Sequence, residues 1–166
     1  TPEPADAARL PPLLKGFGAV PPLISDIDLS LDDRFLYVAC WGIGELKQYD
    51  VSDPMKPKQA GSVRIGGIVQ HAKHPNGRPF AGGPQMTEIS RDGKRVYFTN
   101  SLYSTWDTQF YPDGVPGVQV MCHVGANGGL TIDSEFYVDF GADYGAHQVR
   151  LEVGDCSTDS YGYPQA

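Results

Sequence analysis

The sequence predicts an all-β fold, and three observations support this prediction. First, 20 Gly and 14 Pro account for about a fifth of the 166 residues, a content that favours short strands and turns over long helices. Second, short segments of alternating apolar and polar residues recur between turn residues, as in half-buried strands. Third, the pattern S-x-D-(D/G)-(R/K)-x-(L/V)-Y-(V/F) begins at Ser30 and again, without a gap, at Ser90. Such a fixed offset indicates a repeated structural unit.

The first repeat contains four predicted strands. Residues 23–30 alternate before a turn at Asp32 and Asp33, and residues 35–40 follow, which predicts a hairpin. A third strand is predicted at residues 45–51 and a fourth at about residues 59–65. Because each turn is short, we expect the strands to pair antiparallel with their neighbours in sequence.

The second repeat follows the same order after the hairpin that contains Ser90. Its third and fourth strands are predicted at residues 118–124 and 135–140. Two long connections, residues 66–83 and 102–117, lie between predicted strands. Four antiparallel strands per repeat form the unit of a β-propeller blade. The sequence therefore predicts two blades built from four-stranded antiparallel sheets.

This prediction divides the chain into four parts. Residues 1–22 are a Pro-rich tether or loop, residues 23–83 and 84–144 are two blades, and residues 145–166 are a closing segment. Propellers close with about 4–8 blades, and two blades alone leave strand edges and apolar sheet faces uncovered. We therefore expect the remaining blades to come from a longer parent chain or from other chains. The first residue is not Met, which suggests a processed product or a fragment.

Charge and hydropathy exclude two classes of function. The formal net charge is −7, which argues against a protein that tracks nucleic-acid phosphates. No uncharged apolar run approaches the roughly 20 residues of a membrane span. The three cysteines, Cys40, Cys122 and Cys156, are too few and of the wrong parity for a disulfide framework.

Three long motifs carry a resemblance to a known family. They are PPLISDIDLSLDDRFLYVACWGIGELKQYDVSDPMKP at residues 21–57, GGPQMTEISRDGKRVYFTNSLYSTWDTQFYPDG at residues 82–114, and FYVDFG at residues 136–141 followed by AHQVRLEVGDCSTDSYGYP at residues 146–164. In these motifs the chain resembles the C-terminal part of the selenium-binding protein family, which includes the methanethiol oxidases. Family members are longer chains that look like seven-bladed propellers. The resemblance implies that this chain corresponds to about the last third of such a protein.

The resemblance implies a copper-dependent oxidation. In that reaction methanethiol, oxygen and water give formaldehyde, hydrogen sulfide and hydrogen peroxide. Copper suits this chemistry, because it binds soft thiolates and imidazoles. The alternative is a non-catalytic propeller that binds a selenium or thiol species or docks a protein. The compartment is open: periplasmic if the protein is like bacterial methanethiol oxidases, otherwise cytoplasmic.

The resemblance also implies a histidine-rich copper site, of which this chain carries one candidate ligand. His147 lies in the matching motif AHQVR, and its alternative role is a hydrogen bond within the closing strand. Arg150 and Asp155 are candidates for orienting a ligand or a water, or else form an ordinary ion pair. Cys156 is expected to be a partly buried thiol. Since one imidazole does not make a copper site, the isolated chain is expected to be inactive.

A substrate pocket is predicted near an aromatic loop. Residues 101–112 break the strand pattern and contain Trp106, Phe110 and Tyr111. Loops at one end of a propeller often carry binding residues, so these rings either form the wall of a small apolar pocket or cover the core. Met86, just before a predicted strand, either faces a soft metal or packs in the core.

Other metal-like pairs are expected to be structural. His71 and His74 have His-x-x-His spacing but lie in a Pro- and Gly-rich loop, and we expect both to be solvent-exposed. Cys122 and His123 are adjacent on a predicted strand and therefore point to opposite faces. The turn acids Asp32, Asp33 and Asp92 are expected to stabilise hairpin turns rather than to form catalytic pairs.

Overall fold

The structure is a computed structural model that describes residues 1–148. In this part of the chain the elements follow one another in this order: β1 (Glu3–Pro4), a 3-10 helix (Pro12–Phe17), β2 (Ala19–Val20), β3 (Ile24–Leu29), β4 (Phe35–Cys40), β5 (Glu45–Asp50), β6 (Lys58–Arg64), β7 (Thr87–Ile89), β8 (Arg95–Thr99), helix α1 (Ser104–Asp107), β9 (Gly117–Val124) and β10 (Leu130–Gly141). No helix among these residues is both long and apolar enough to cross a bilayer.

Eight of the strands form two four-stranded sheets. The first sheet has the order β3-β4-β5-β6, and the second has the order β7-β8-β9-β10. All neighbouring strands pair antiparallel. The predicted four-stranded antiparallel sheets are therefore confirmed. Two sheets do not close a ring, so the propeller itself stays a prediction.

Strand β10 begins five residues before the predicted segment 135–140. Its pairing with β9 contains a register shift between Ile132 and Tyr137, as in a β-bulge. Asp133 Oδ1 accepts hydrogen bonds from the backbone N–H groups of Glu135 (2.7 Å) and Phe136 (2.9 Å). The polar residues that resemble a turn in the sequence thus stabilise a bulge within one long strand.

The core lies between the two sheets. Strand β3 lies beside β7, and β6 lies beside β10, so the sheets stack face to face. The first sheet contributes Phe35, Tyr37, Ala39 and Leu46, and the second contributes Ile89, Val96, Phe98, Val118, Val120 and Cys122. These residues alternate along their strands with residues of the opposite face, which explains the pattern seen in the sequence.

The repeated hairpin pattern has one structural basis. In the first sheet the Ser30 hydroxyl donates to Asp32 Oδ1 over 2.6 Å, and in the second the Ser90 hydroxyl donates to Asp92 Oδ1 over the same distance. Each serine Oγ also accepts a hydrogen bond from the first residue of the following strand, at 2.8 Å and 3.0 Å. The expectation that these acids stabilise turns is confirmed.

The turn also explains the D/G alternative in the pattern. Asp33 and Gly93 occupy equivalent positions and both have left-handed backbone, with φ of 57° and 68°. The serine hydroxyl lowers the pKa of Asp32 and of Asp92 below the ordinary value of 3.8. Because these folded-state pKa values are lowered, the carboxylates stabilise the fold above pH 3.8, and this contribution is lost as the pH falls through the lowered pKa.

Replacing Ser90 with Ala is expected to reduce the free energy of unfolding by about 1–2 kcal/mol. Ser90 is buried, and its loss leaves the backbone N–H of Arg95 without the acceptor at 3.0 Å. Urea denaturation measures the effect. The matched control is Ser134→Ala, since Ser134 is exposed and its hydroxyl bonds the neighbouring Glu135. Equal losses in the two variants would contradict this role for the Ser90 hydroxyl.

The N-terminal segment, for which the sequence suggested a tether or a loop, packs on the first sheet. Leu10, Leu14 and Val20 are buried in a second apolar cluster. Arg9 Nη2 donates to the carbonyl of Val69 over 2.7 Å, and Arg64 pairs with Glu3 at 3.0 Å. Residues 1–22 therefore pack against the first sheet and the connections that follow β4 and β6.

The connections emerge at two opposite ends of the sheets, because successive strands are antiparallel. Short turns at residues 30–34 and 90–94 lie at one end. The other end, here named the long-loop end, contains the connections at residues 41–44, 65–86 and 100–116 and the segment 142–148. Long loops positioned by a rigid sheet are where binding residues concentrate.

Candidate functional site at the long-loop end

The site residues predicted within residues 1–148 all lie at the long-loop end. Met86 directly precedes β7, the three aromatic candidates lie in the connection between β8 and β9, and His147 follows β10. Arg150, Asp155 and Cys156 lie outside the described residues. Residues that are distant in sequence therefore share one end of the two sheets.

His147 is exposed, but the backbone around it is fixed to the second sheet. Its carbonyl oxygen lies 2.5 Å from the Thr99 hydroxyl, which donates to it. The neighbouring Ala146 carbonyl accepts a hydrogen bond from the Ser101 N–H over 3.1 Å. These bonds involve the main chain of the segment and do not use the imidazole.

His147 borders a cleft of about 400 Å³ that also includes Ser101, Tyr103, Asp107 and Asp143. Asp107 is 2% exposed. The Ser101 hydroxyl donates to Asp107 Oδ2 over 2.6 Å, and the Leu102 N–H donates to Oδ1 over 3.2 Å. The cleft thus combines an accessible imidazole with a buried, hydrogen-bonded carboxyl.

The electrostatic setting of Asp107 has opposing contributions. Burial raises the pKa of this carboxyl, whereas the Ser101 hydroxyl, the backbone amides of Leu102 and Tyr103 and the charge of His147 lower it, with burial the largest effect. Sequence reasoning missed Asp107, although it lies in the motif SLYSTWDTQFYP. The available signal in the sequence was an acidic residue between Trp106 and Phe110 in a segment without strand alternation. An acid that such aromatic residues bury needs hydrogen-bond partners.

Two of the aromatic candidates belong to the core. Phe110 and Tyr111 are buried, and their rings meet Trp41 edge-to-face at centroid distances of 5.5 Å and 5.6 Å. The Tyr111 hydroxyl donates to the Gly82 carbonyl over 3.0 Å. Burial raises the pKa of Tyr111, as does the charge of Asp107. These rings hold the aromatic loop against the first sheet.

Trp106 occupies a different position at the surface of the same loop. It is partly buried, its ring lies 5.3 Å from that of Phe110, and it borders a cleft of about 310 Å³ with Leu23, Ser25 and Tyr103. Among the described residues its buried indole N–H has no hydrogen-bond partner. Trp106 is therefore the aromatic candidate with an unused donor beside a cleft.

Met86 is partly buried and shares a partner with His147. The Met86 N–H donates to the Thr99 hydroxyl over 3.4 Å, and the Met86 carbonyl accepts from the Thr99 N–H over 3.1 Å. Thr99 therefore hydrogen-bonds the backbone of both Met86 and His147.

The two histidines of the His-x-x-His pair differ in their surroundings. His71 is exposed, as expected. The expectation for His74 was wrong, because this residue is only 2% exposed. Its ring lies 5.2 Å from the Tyr137 ring, and its Nδ1 accepts a hydrogen bond from the Asn76 N–H at 3.3 Å. The loop folds back over the second sheet and buries this imidazole.

Cys122 and His123 point to opposite faces of β9, as predicted. Cys122 is fully buried in the core, whereas His123 is exposed and its Nε2 lies 2.7 Å from Asp133 Oδ2. Burial raises the pKa of the Cys122 thiol and of the Cys40 thiol. Both thiols are therefore harder to ionise than an exposed cysteine.

The described residues do not form a complete metal centre. Within residues 1–148 no group of three or more His, Cys, Asp or Glu side chains converges as metal ligands. His147 fits copper by its donor type, but it supplies one imidazole only. Further ligands would have to come from outside these residues.

These observations define a class: a mostly β protein with two repeated four-stranded antiparallel sheets and a candidate site at one end. A family model for the 56 kDa selenium-binding protein (SBP56) matches residues 1–162. The chain belongs to this SBP56 and methanethiol oxidase family. The resemblance seen in the sequence motifs is confirmed.

Individual relatives support the same assignment. The chain is 43% identical to a methanethiol oxidase of Xenopus tropicalis and 44% identical to one of Homo sapiens, in each case over an alignment that covers 84% of this chain and 35% of the relative. It is also similar to the X-ray structure of a hypothetical selenium-binding protein from Sulfolobus tokodaii, with 58% identity and a TM-score of 0.88 over 98% of this chain and 35% of that one. The chain thus spans about a third of the length of these relatives.

Proposed function

We propose that this chain is part of a copper-dependent methanethiol oxidase. The proposed reaction converts methanethiol, oxygen and water into formaldehyde, hydrogen sulfide and hydrogen peroxide. The observation that carries the proposal is the identity of 43% to 45% with proteins named methanethiol oxidase. As only part of each relative is covered, the activity is assigned to the complete protein and the isolated chain is expected to be inactive.

Within this proposal His147 supplies one imidazole ligand to copper. A bound copper ion would supply a redox-active metal with affinity for thiolates and imidazoles. The remaining ligands come from parts of the protein outside the described residues. His147 is suited to its role because its main chain is fixed by Thr99, at 2.5 Å, while its ring is exposed beside a cleft. Arg150 and Asp155 are proposed to orient ligands or water near it.

The methanethiol pocket is proposed to lie beside the aromatic loop. Trp106 and Met86, both partly buried, provide apolar and polarisable surface for the methyl group. Phe110 contributes by packing on Trp106 at 5.3 Å, and Tyr111 contributes by anchoring the same loop to Trp41 and to the Gly82 carbonyl. The loop that contains Trp106 also contains Asp107, which borders the cleft beside His147. The same loop therefore connects the proposed pocket to this cleft.

The rest of the protein is proposed to be the remaining blades of a seven-bladed propeller. The face of the first sheet that points away from the core includes Ile27 and Leu29, which are 60% and 44% exposed. They pair with Val38 and Leu36 of β4, so these four residues form an apolar patch on this face. A preceding four-stranded blade would cover it, as the second sheet covers the other face.

The test is copper binding and turnover by the complete protein. We expect bound copper, and oxygen consumption with peroxide formation that depends on methanethiol. His147→Ala is expected to weaken copper binding at least about tenfold, measured by competition with a chelator. His123→Ala is the matched control, since His123 is exposed on another face and paired with Asp133. Full copper affinity in His147→Ala would remove this residue from the site.

A second candidate function is non-catalytic binding of a selenium or thiol species. It is favoured by the relatives' names, since one is called selenium-binding protein 2 of Mus musculus at 43% identity. The same experiment separates the two functions. A metal-free complete protein that binds methanethiol without consuming oxygen would support binding alone and would overturn the oxidase proposal.

A further inference from the structure

The segment that carries His147 is attached to the second sheet by its main chain. Three of its carbonyl groups accept hydrogen bonds: Tyr144 from Gly117 N (2.7 Å), Ala146 from Ser101 N (3.1 Å) and His147 from Thr99 Oγ1 (2.5 Å). The segment belongs to no strand. Its position therefore depends on how well the donors themselves are held.

Ser101 is the donor with two separate contacts to this segment. Besides its N–H bond to Ala146, its side chain lies against Gly145, where a Cβ atom would approach Ser101 Oγ to 2.8 Å. Ser101 is 2% exposed. A change in the orientation of its side chain would therefore press on the main chain two residues before His147.

Asp107 determines that orientation. Its Oδ2 accepts the Ser101 hydroxyl hydrogen bond at 2.6 Å, and its Oδ1 accepts from the Leu102 N–H at 3.2 Å. Both carboxyl oxygens are thus directed at two consecutive residues at the start of the aromatic loop. A buried carboxyl is costly unless it is hydrogen-bonded in this way, and an apolar residue here would leave two buried donors without a partner.

We propose that Asp107 is a positioning residue which, through Ser101, holds the segment 144–148 and thereby places His147. The role of His147 as a copper ligand rests on the proposed function, but the positioning does not. The same hydrogen bonds connect the aromatic loop, in which Asp107 is the last residue of helix α1, to the segment that carries His147.

Hydrogen exchange of the complete protein tests the positioning without copper. In Asp107→Ala we expect the amides of Ser101 and Gly117, which bond the segment, to exchange about tenfold faster, as for the loss of one buried hydrogen bond. The amide of Val124, bonded to Lys94 at the opposite end over 2.8 Å, reports global opening and is expected to stay unchanged. Asp113→Ala is the control, since Asp113 is an exposed acid near the end of the aromatic loop.

Two further variants keep the proposal falsifiable if Asp107→Ala does not fold. Ser101→Ala retains the N–H but removes the hydroxyl, and it is expected to accelerate exchange at Gly117 to a similar extent. Asp107→Asn keeps one of the two acceptors, and its exchange rate at Gly117 is expected to lie between those of Asp107→Ala and the parent. Unchanged exchange at Gly117 in both variants, or equal acceleration at Val124, would overturn the positioning role.

Copper affinity of the same variants links the inference to the site. If the complete protein binds copper, Asp107→Ala is expected to weaken binding about 10–100-fold, as for other residues that orient a ligand, and Asp113→Ala is expected not to. Equal copper affinity in Asp107→Ala and the parent would overturn its role in placing the ligand. A parent protein without copper would overturn the proposed function, while the exchange data would still decide the positioning.

Discussion

Replacing Asn100 with Ala is expected to lower the free energy of unfolding by about 3–5 kcal/mol. Asn100 is fully buried at the end of β8. Its Nδ2 donates to the carbonyls of Ala81 (3.0 Å) and Pro116 (2.7 Å), and its Oδ1 accepts from the Val118 N–H (2.8 Å). Removal of the amide leaves the buried Val118 N–H without this acceptor and the part-buried carbonyls of Ala81 and Pro116 without these donors. An unpaired buried polar group costs about 1–3 kcal/mol.

Chemical denaturation monitored by circular dichroism measures this loss. Asn127→Ala is the matched control, because Asn127 is exposed in the turn before β10. Asn100→Asp separates the two halves of the amide, since it keeps the acceptor for Val118 but lacks the donors for Ala81 and Pro116. A loss below about 1 kcal/mol in Asn100→Ala would show that water replaces these bonds and that the site is open.

The position of Asn100 explains why its effect should reach the candidate site. It joins the connection 65–86 to the connection 100–116, and it precedes Ser101 in sequence. The long loops are therefore held by a side chain at a strand end rather than by strand pairing. Weakening this junction is expected to disturb the long-loop end before the hairpin turns at the other end.

The strands could be predicted because their signal is local. Alternation along β4 and the repeated Ser and Asp of the hairpins each follow from a few neighbouring residues, and β4 has the predicted bounds. The same reasoning places Cys122 and His123 on opposite faces. Local patterns determine strand faces and turns, so these features needed no knowledge of tertiary contacts.

The loops could not be predicted, because their structure depends on contacts between distant residues. His74 is buried by Tyr137, which is far away in sequence, and Asn100 holds Ala81 and Pro116 in two different connections. The resemblance pointed to His147 as a candidate through its motif, whereas the buried Asp107, which borders the same cleft, was revealed only by its partners Ser101 and Leu102. Site residues on long loops thus need the fold before their roles can be assigned.

Replacing Trp41 with Ala is the second change with a large expected effect, about 3–5 kcal/mol of unfolding free energy. Trp41 is fully buried, and Phe110 and Tyr111 pack on it edge-to-face. Its Nε1 donates to the Asn100 carbonyl over 2.9 Å. The substitution removes the largest side chain that joins the first sheet to the aromatic loop.

The two tryptophans provide a direct comparison of core and cleft. Trp106 packs on Phe110 but is only partly buried, so Trp106→Ala is expected to cost clearly less than Trp41→Ala, about 1–2 kcal/mol. Trp41→Phe retains an aromatic ring but loses the donor to Asn100, and it leaves Trp106 as the remaining tryptophan. Denaturation of the three variants measures the contribution of ring packing and that of the hydrogen bond from Trp41 to Asn100. A larger loss of unfolding free energy in Trp106→Ala than in Trp41→Ala would mean that Trp106 contributes more to the packing of the loop. Trp106 would then be a core residue instead of part of a substrate pocket.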